Sequence, residues 1–254
     1  FSACAFAHFL TYGLRLREQQ TYEFQPLDLG NVCHSALEYY SRKLREEHLS
    51  WTEIEEEKRQ EYIDDSVEHA ISDYGNSVLY SSARNEYMIE RIKRLLTRTI
   101  WALTKQLEAG DFVPVAYEMR FENGKIDRVD LCKDGDKVYV KVLDYKTGSK
   151  AFDVVALYHG LQLQLMVYMD AAVKMTQKHY PDSEVIPAGI FYYRLNDPFV
   201  EKEVVGEEEE IWQKVLTELK VDGVMNLKDE TLEHLDHCQV GESAVIPVKY
   251  NKNG

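Results

Sequence analysis

The chain has little cysteine, no long apolar run and no phosphate-binding loop. Its four cysteines, at positions 4, 33, 132 and 238 of 254 residues, include no C-x-x-C pair and follow no secretory pattern. That argues against a disulfide framework and for a reducing compartment, the cytoplasm. Nothing approaches the ~20 consecutive apolar residues that a membrane span requires. The pattern G-x-x-x-x-G-K-[ST] is absent, so any ATP dependence must come from elsewhere than these residues. An excess of basic charge is missing too: 30 basic and 44 acidic side chains give a net charge of -14, unlike the basic modules that usually read DNA sequence. The acidic runs "EIEEE" at 53–57 and "GEEEE" at 206–210 read as solvated helix starts.

With 44% hydrophobic residues, the chain can build one large domain over residues 1–254. It opens on Phe1 inside an apolar, helix-like stretch, which suggests a piece of something longer. Helical spacing runs through residues 1–20, and "PLDLGNVCHSALEYYSRKL" resumes a helix starting near Gly30 or Asn31. Trp51 to Tyr74 and Ala83 to Glu108 read as amphipathic helices, so 50–110 is expected to be a helical insertion or cap. The cations of its second helix, Arg84, Arg91, Lys93, Arg94, Arg98 and Lys105, fit a mixed-charge solvated face better than a phosphate track.

After Gly110 the period becomes two. "FVPVAYEMRFE", "GKIDRVDLC" and "KVYVKVLDYK" are predicted as an antiparallel meander with turns at "ENG" and "KDGD". A long helix with few breakers is expected from about Asp153 to Lys178, then a buried strand "VIPAGIFYYRL"; after Gly206 the pattern predicts a weak helix and irregular tail. Helix, three strands, helix, strand defines an α/β sandwich whose later helix crosses the sheet.

Asp127 falls within the second strand and Asp144 near the end of the third, where neighbouring strands bring side chains within about 5 Å. Two carboxylates so close repel unless a cation joins them, and hard oxygen donors suit Mg²⁺. Isolated carboxylates inside apolar runs are otherwise costly. Lys146 is two residues beyond Asp144 and therefore on the same face. An ammonium there can orient an attacking water and offset charge developing on a phosphoryl group. Asp130, Asp134 and Asp136 are read as structural residues in or near the turn.

In order and spacing, "GNVCHSALE", "GKIDRVD", "VLDYKTG" and "GLQLQLMVY" resemble the motifs of RecB-type nucleases of the PD-(D/E)XK superfamily, over roughly residues 1–195. The opening "CAFAHFLTYGLRLRE" is similar to the segment preceding those motifs in the AddB chains of AddAB-type ATP-dependent helicase/nucleases. The resemblance implies a restriction-endonuclease-like core. It implies that His34, Asp127, Asp144 and the backbone carbonyl of Tyr145 bind the metal, Mg²⁺ or Mn²⁺, and that Lys146 is the catalytic lysine. Gln164 and Tyr168 match a Q-x-x-x-Y motif that lines the site and approaches DNA; Glu38 is a candidate outer residue, and Glu118 a candidate partner of Lys146.

The same resemblance implies an exonuclease domain working in double-strand break repair and recombination, acting on the 5'-terminated strand and fed single strands by an AddA-like helicase/nuclease partner. Cys4 would be one of four thiolates holding a [4Fe-4S] cluster. No close-spaced cysteine trio follows here, so the other ligands are expected beyond residue 254. A non-catalytic DNA-binding scaffold and a stand-alone exonuclease of the same superfamily are the rival classes. The intact set His34, Asp127, Asp144 and Lys146 speaks against the first, and the opening segment against the second.

Overall fold

The computed structural model describes residues 6, 9, 13 and 14, and 26–75, 83–122, 124–148, 151–198, 208–238 and 240–250. Most of the expected helix over 1–20, including Cys4, lies outside the described residues. Helix α1 spans Pro26–Glu46, beginning before the expected Gly30 or Asn31. A proline suits a first helical turn, where its missing N–H has no partner to lose. Its C-terminal turn closes with His48 N donating to Arg45 O (3.1 Å) and Leu49 N to Leu44 O (2.8 Å) around His48 at φ 56, where a glycine commonly stands.

Helices α2 (Glu56–Gly75) and α3 (Ala83–Glu108) follow. Strands β1 (Val113–Phe121), β2 (Gly124–Asp134) and β3 (Lys137–Lys146) form the antiparallel meander. The helix expected over 153–178 is two. Helix α4 (Val154–Tyr158) is N-capped by Asp153, whose Oδ1 accepts from Val155 N and Ala156 N. It stops at Gly160, φ 74, with Gly160 N bonded to Leu157 O and Leu161 N to Ala156 O. Helix α5 (Gln164–His179) then crosses to β4 (Glu184–Arg194), which lies parallel to β3.

Helix α6 (Glu208–Glu218) matches the weak helix expected in the tail, but the remainder is not irregular. β5 (Asp222–Met225) adds an antiparallel edge beside β4, followed by α7 (Asp229–Leu235) and a small β6 (Gly241–Glu242) and β7 (Lys249–Tyr250) pair. β5 is too short to show a period, and a close approach at Gly223 makes room for it: a Cβ there would lie 2.1 Å from Ile190 O. The main sheet is ordered β1-β2-β3-β4-β5.

Period-two alternation divides the sheet between two cores. Val129, Val138, Val140, Val142 and Ile190 pack under Leu165, Met169 and Ala172 of α5. On the opposite face Tyr139, Leu143, Tyr145, Phe191 and Tyr193 share one cluster with α1, α2, α3 and α6. Each fully buried large aliphatic side chain contributes about 1.5–3 kcal/mol through its removal from water. Both layers press on β2 and β3, the strands that carry the aspartates.

Candidate active site

Register places the acids. Tyr117 pairs with Arg128 and Met119 with Ile126, so Glu118 of β1 stands opposite Asp127 of β2. Arg128 pairs with Leu143, and the next position of that register sets Asp127 against Asp144 of β3. Three carboxylates thus line up across three adjacent strands. Glu118 adopts φ 48, a conformation that costs a non-glycine residue about 1–2 kcal/mol and is found mainly where a site holds it.

Helix α1 delivers His34 to this row. Its Nδ1 lies 3.4 Å from Asp127 Oδ2 and 3.6 Å from Glu118 Oε1, and its Nε2 is 3.1 Å from the Tyr145 carbonyl. Donor atoms of His34, Glu118 and Asp127 all fall within 4.8 Å of one another. Burial lowers the histidine's pKa, but hydrogen bonds and charge from Asp127 and Glu118 outweigh it and carry the pKa up to about 10. An imidazolium therefore balances the acids here. Asp127 Oδ2 also accepts from Tyr145 N at 2.7 Å.

Asp144 is 2% exposed, and burial together with the Asp127 charge raises its carboxyl to about 6 despite Lys146 and His34. Lys146 Nζ sits 2.5 Å from Asp144 Oδ2 and 3.3 Å from Gln164 Oε1. The Gln164 amide donates in turn to Tyr168 Oη at 2.7 Å, one turn along α5. The lysine is thus held between the acid row and the helix. Together these residues, with Glu38, Lys125 and Gly148, line an open cleft of about 710 Å³.

His34, Asp127, Asp144, the Tyr145 carbonyl, Lys146, Gln164 and Tyr168 therefore come together, although they arise from α1, β2, β3 and α5. Two readings of the acids need correction. Glu118 pairs with Lys125 rather than Lys146, because its strand lies across β2 from the lysine. Asp130 is in no turn: it is wholly buried in β2, gripped by Arg128 (2.6 and 3.0 Å) and Lys141 (3.0 Å). Lys125, which the sequence pattern did not single out, completes the cleft. Its one signal was its position across the hairpin turn from β1.

Four of the six cations named on α3 are paired with acids, and Arg91 is exposed. Lys93 meets Asp64 and Glu68, Arg94 and Arg98 meet Asp197, and Lys105 meets Glu108. Arg84's side chain lies outside the described residues.

A mixed sheet with acids on three neighbouring strands, and a lysine two positions after the last, defines a nuclease core of the restriction-endonuclease-like class. The chain belongs to the PD-(D/E)XK nuclease superfamily, whose family model matches residues 1–245. Among curated proteins it is 42% identical over 271 residues to the B subunit of the ATP-dependent helicase/deoxyribonuclease of Lachnoclostridium phytofermentans. It is 32% identical over 274 residues to the protein of that name from Thermoanaerobacter sp., and 33% over 278 residues to that of Clostridioides difficile. Each comparison covers the whole chain but 23% or 24% of the relative, so the chain spans about a quarter of their length.

Proposed function

We propose that this chain is the nuclease part of a larger helicase/nuclease protein and hydrolyses DNA phosphodiester bonds with Mg²⁺ or Mn²⁺. The observation that carries this is the Glu118, Asp127 and Asp144 row with Lys146 Nζ 2.5 Å from Asp144. The donors fit a hard divalent cation: carboxylate and carbonyl oxygens converge with one imidazole at the same place. His34, Asp127, Asp144 and the Tyr145 carbonyl would hold it, with Glu118 beside them. When bound, such an ion polarises the phosphoryl group and lowers the pKa of water.

The chain's own residues do the rest. His34 gives up its proton to become a ligand, which links metal affinity to pH. Lys146 orients the attacking water and balances the charge that gathers on the phosphoryl oxygens. Gln164 fixes the lysine, and Tyr168 fixes Gln164, from helix α5.

The relatives' name supports a helicase companion, AddA-like by the sequence resemblance. Single strands delivered by it, exonucleolytic action in double-strand break repair and a cytoplasmic setting belong to this reading. Among the described residues no helix is long and apolar enough to cross a membrane. The described cysteines do not assemble a four-thiolate [4Fe-4S] cluster: Cys33 and Cys132 are buried in α1 and β2, and Cys238 follows α7. A cluster using Cys4 would draw its remaining thiolates from outside the described residues.

The test is cleavage of end-labelled single-stranded DNA with Mg²⁺ or Mn²⁺, beside EDTA. Cleavage should vanish with EDTA and in Asp144→Ala, and fall about 10²-fold or more in Lys146→Ala. Full activity in Lys146→Ala would overturn the roles assigned here.

A further inference from the structure

A second group of metal-binding side chains stands away from the acid row. Asp111 lies between α3 and β1, Cys132 in β2, His234 in the last turn of α7, and His237 just beyond it. Asp111 Oδ2 is 2.8 Å from His234 Nδ1, and Oδ1 is 3.0 Å from His237 Nε2. Donor atoms of Asp111, Cys132 and His234 all lie within 4.8 Å of one another. Backbone bonds fix the arrangement from both sides: Asp111 N donates to His234 O at 2.9 Å, and His237 N to Ala109 O at 2.7 Å.

Cys132 separates this cluster from an ordinary aspartate-histidine tether. It is 3% exposed, and its free thiol makes no hydrogen bond among the described residues, yet it faces the Asp111 and His234 donors. A further carboxylate, Asp134, lies 3.6 Å from His234 Nε2, the nitrogen turned away from Asp111. Metal-binding histidines commonly have such a partner, which sets the ring's orientation and tautomer.

We propose that Asp111, Cys132 and His234 form the core of a structural Zn²⁺ site, with the half-exposed His237, which lies on the other oxygen of Asp111, turning in as the fourth ligand. One thiolate, two imidazoles and a carboxylate are the donor types of tetrahedral zinc. A thiolate also selects against the hard Mg²⁺ suited to the acid row. Binding releases the Cys132 thiol proton and leaves the sulfur as a ligand anion. Cys132 lies five positions along β2 from Asp127, about 17 Å on an extended strand, so the two centres are distinct. The ion joins the α3–β1 connection, the sheet and the segment after β5, pieces far apart in sequence. Its role is to tie that segment to the nuclease core.

Co²⁺ added to the metal-free protein tests this by absorption. One equivalent should produce a thiolate-to-cobalt charge-transfer band in the near ultraviolet and intense tetrahedral bands in the visible. One equivalent of Zn²⁺ should erase them, and excess Mg²⁺ should not. Cys132→Ala should remove the charge-transfer band, and His234→Gln should weaken Co²⁺ binding at least tenfold. His237→Gln, on a half-exposed side chain, should do the same and decides the matter if a core variant fails to fold. Asp144→Ala should keep the full spectrum. A Co²⁺ spectrum with no thiolate band, a band that survives Cys132→Ala, or one lost in Asp144→Ala would overturn the proposal.

Discussion

Replacing Asp130 by asparagine separates the structural aspartate from the two that face the cleft. Arg128, Asp130 and Lys141 have side chains 1%, 0% and 10% exposed, and Asp130 binds Arg128 through both oxygens. Asparagine keeps the size but strands the guanidinium in the core, and breaking a buried pair in this way costs about 3–5 kcal/mol. For a domain of this size each kcal/mol shifts Tm by about 2–4 °C, so Asp130→Asn should lower it by roughly 6–20 °C in EDTA. The pH dependence follows from the same contacts. Burial raises the Asp130 pKa, but Arg128 and Lys141 outweigh it and hold the carboxyl below its usual value. Its contribution is therefore complete above the unfolded pKa of about 3.9 and is lost as pH falls through the lower native value. Thermal unfolding followed from neutral pH into acid should show the wild type losing stability there, and the variant losing less. Replacing all three by Met, Leu and Met should recover much of the loss, since an apolar trio leaves no stranded charge. A Tm change under about 2 °C in Asp130→Asn would refute the reasoning, because burial of this network would then carry no stability.

Glu118→Gly removes a carboxylate and the strain of a non-glycine residue at φ 48. Its Tm in EDTA should not fall, while calorimetric Mn²⁺ affinity should drop at least tenfold; a lower Tm with unchanged affinity would refute this. Gln164→Ala removes a long 3.3 Å bond to Lys146, worth about 0.5–1.5 kcal/mol. Single-turnover cleavage should slow by about 2- to 10-fold with metal affinity unchanged, far less than for Lys146→Ala. Gly223→Ala sets a Cβ against Ile190 O and must part β4 from β5. It should cost about 1–3 kcal/mol on denaturant unfolding, and an unchanged midpoint would refute that pairing.

Helix α3 and strands β1 to β4 were legible because each repeats its apolar pattern over many residues, as in "KVYVKVLDYK". Asp127, Asp144, Lys146 and the Q-x-x-x-Y pair were legible as ordered motifs, whereas Glu118 was read only as a partner for Lys146. The break at Gly160 was less so: one glycine in a helical pattern is usually tolerated, and only its positive φ reveals an end. β5 was not legible either, since four residues carry no period.

Residue order alone dictates the alternation that buries both faces of β2 and β3, and so the strands on which Asp127 and Asp144 must lie. Which acids meet is a matter of long-range contact. Strand pairing put Glu118 opposite Asp127, and helix packing carried His34 across 111 residues of chain to the Tyr145 carbonyl. Asp130, three residues from Asp127, went instead to the core with Arg128. Composition looks the same for both aspartates; the side of the pleat on which each falls, and the charge waiting there, sets them apart.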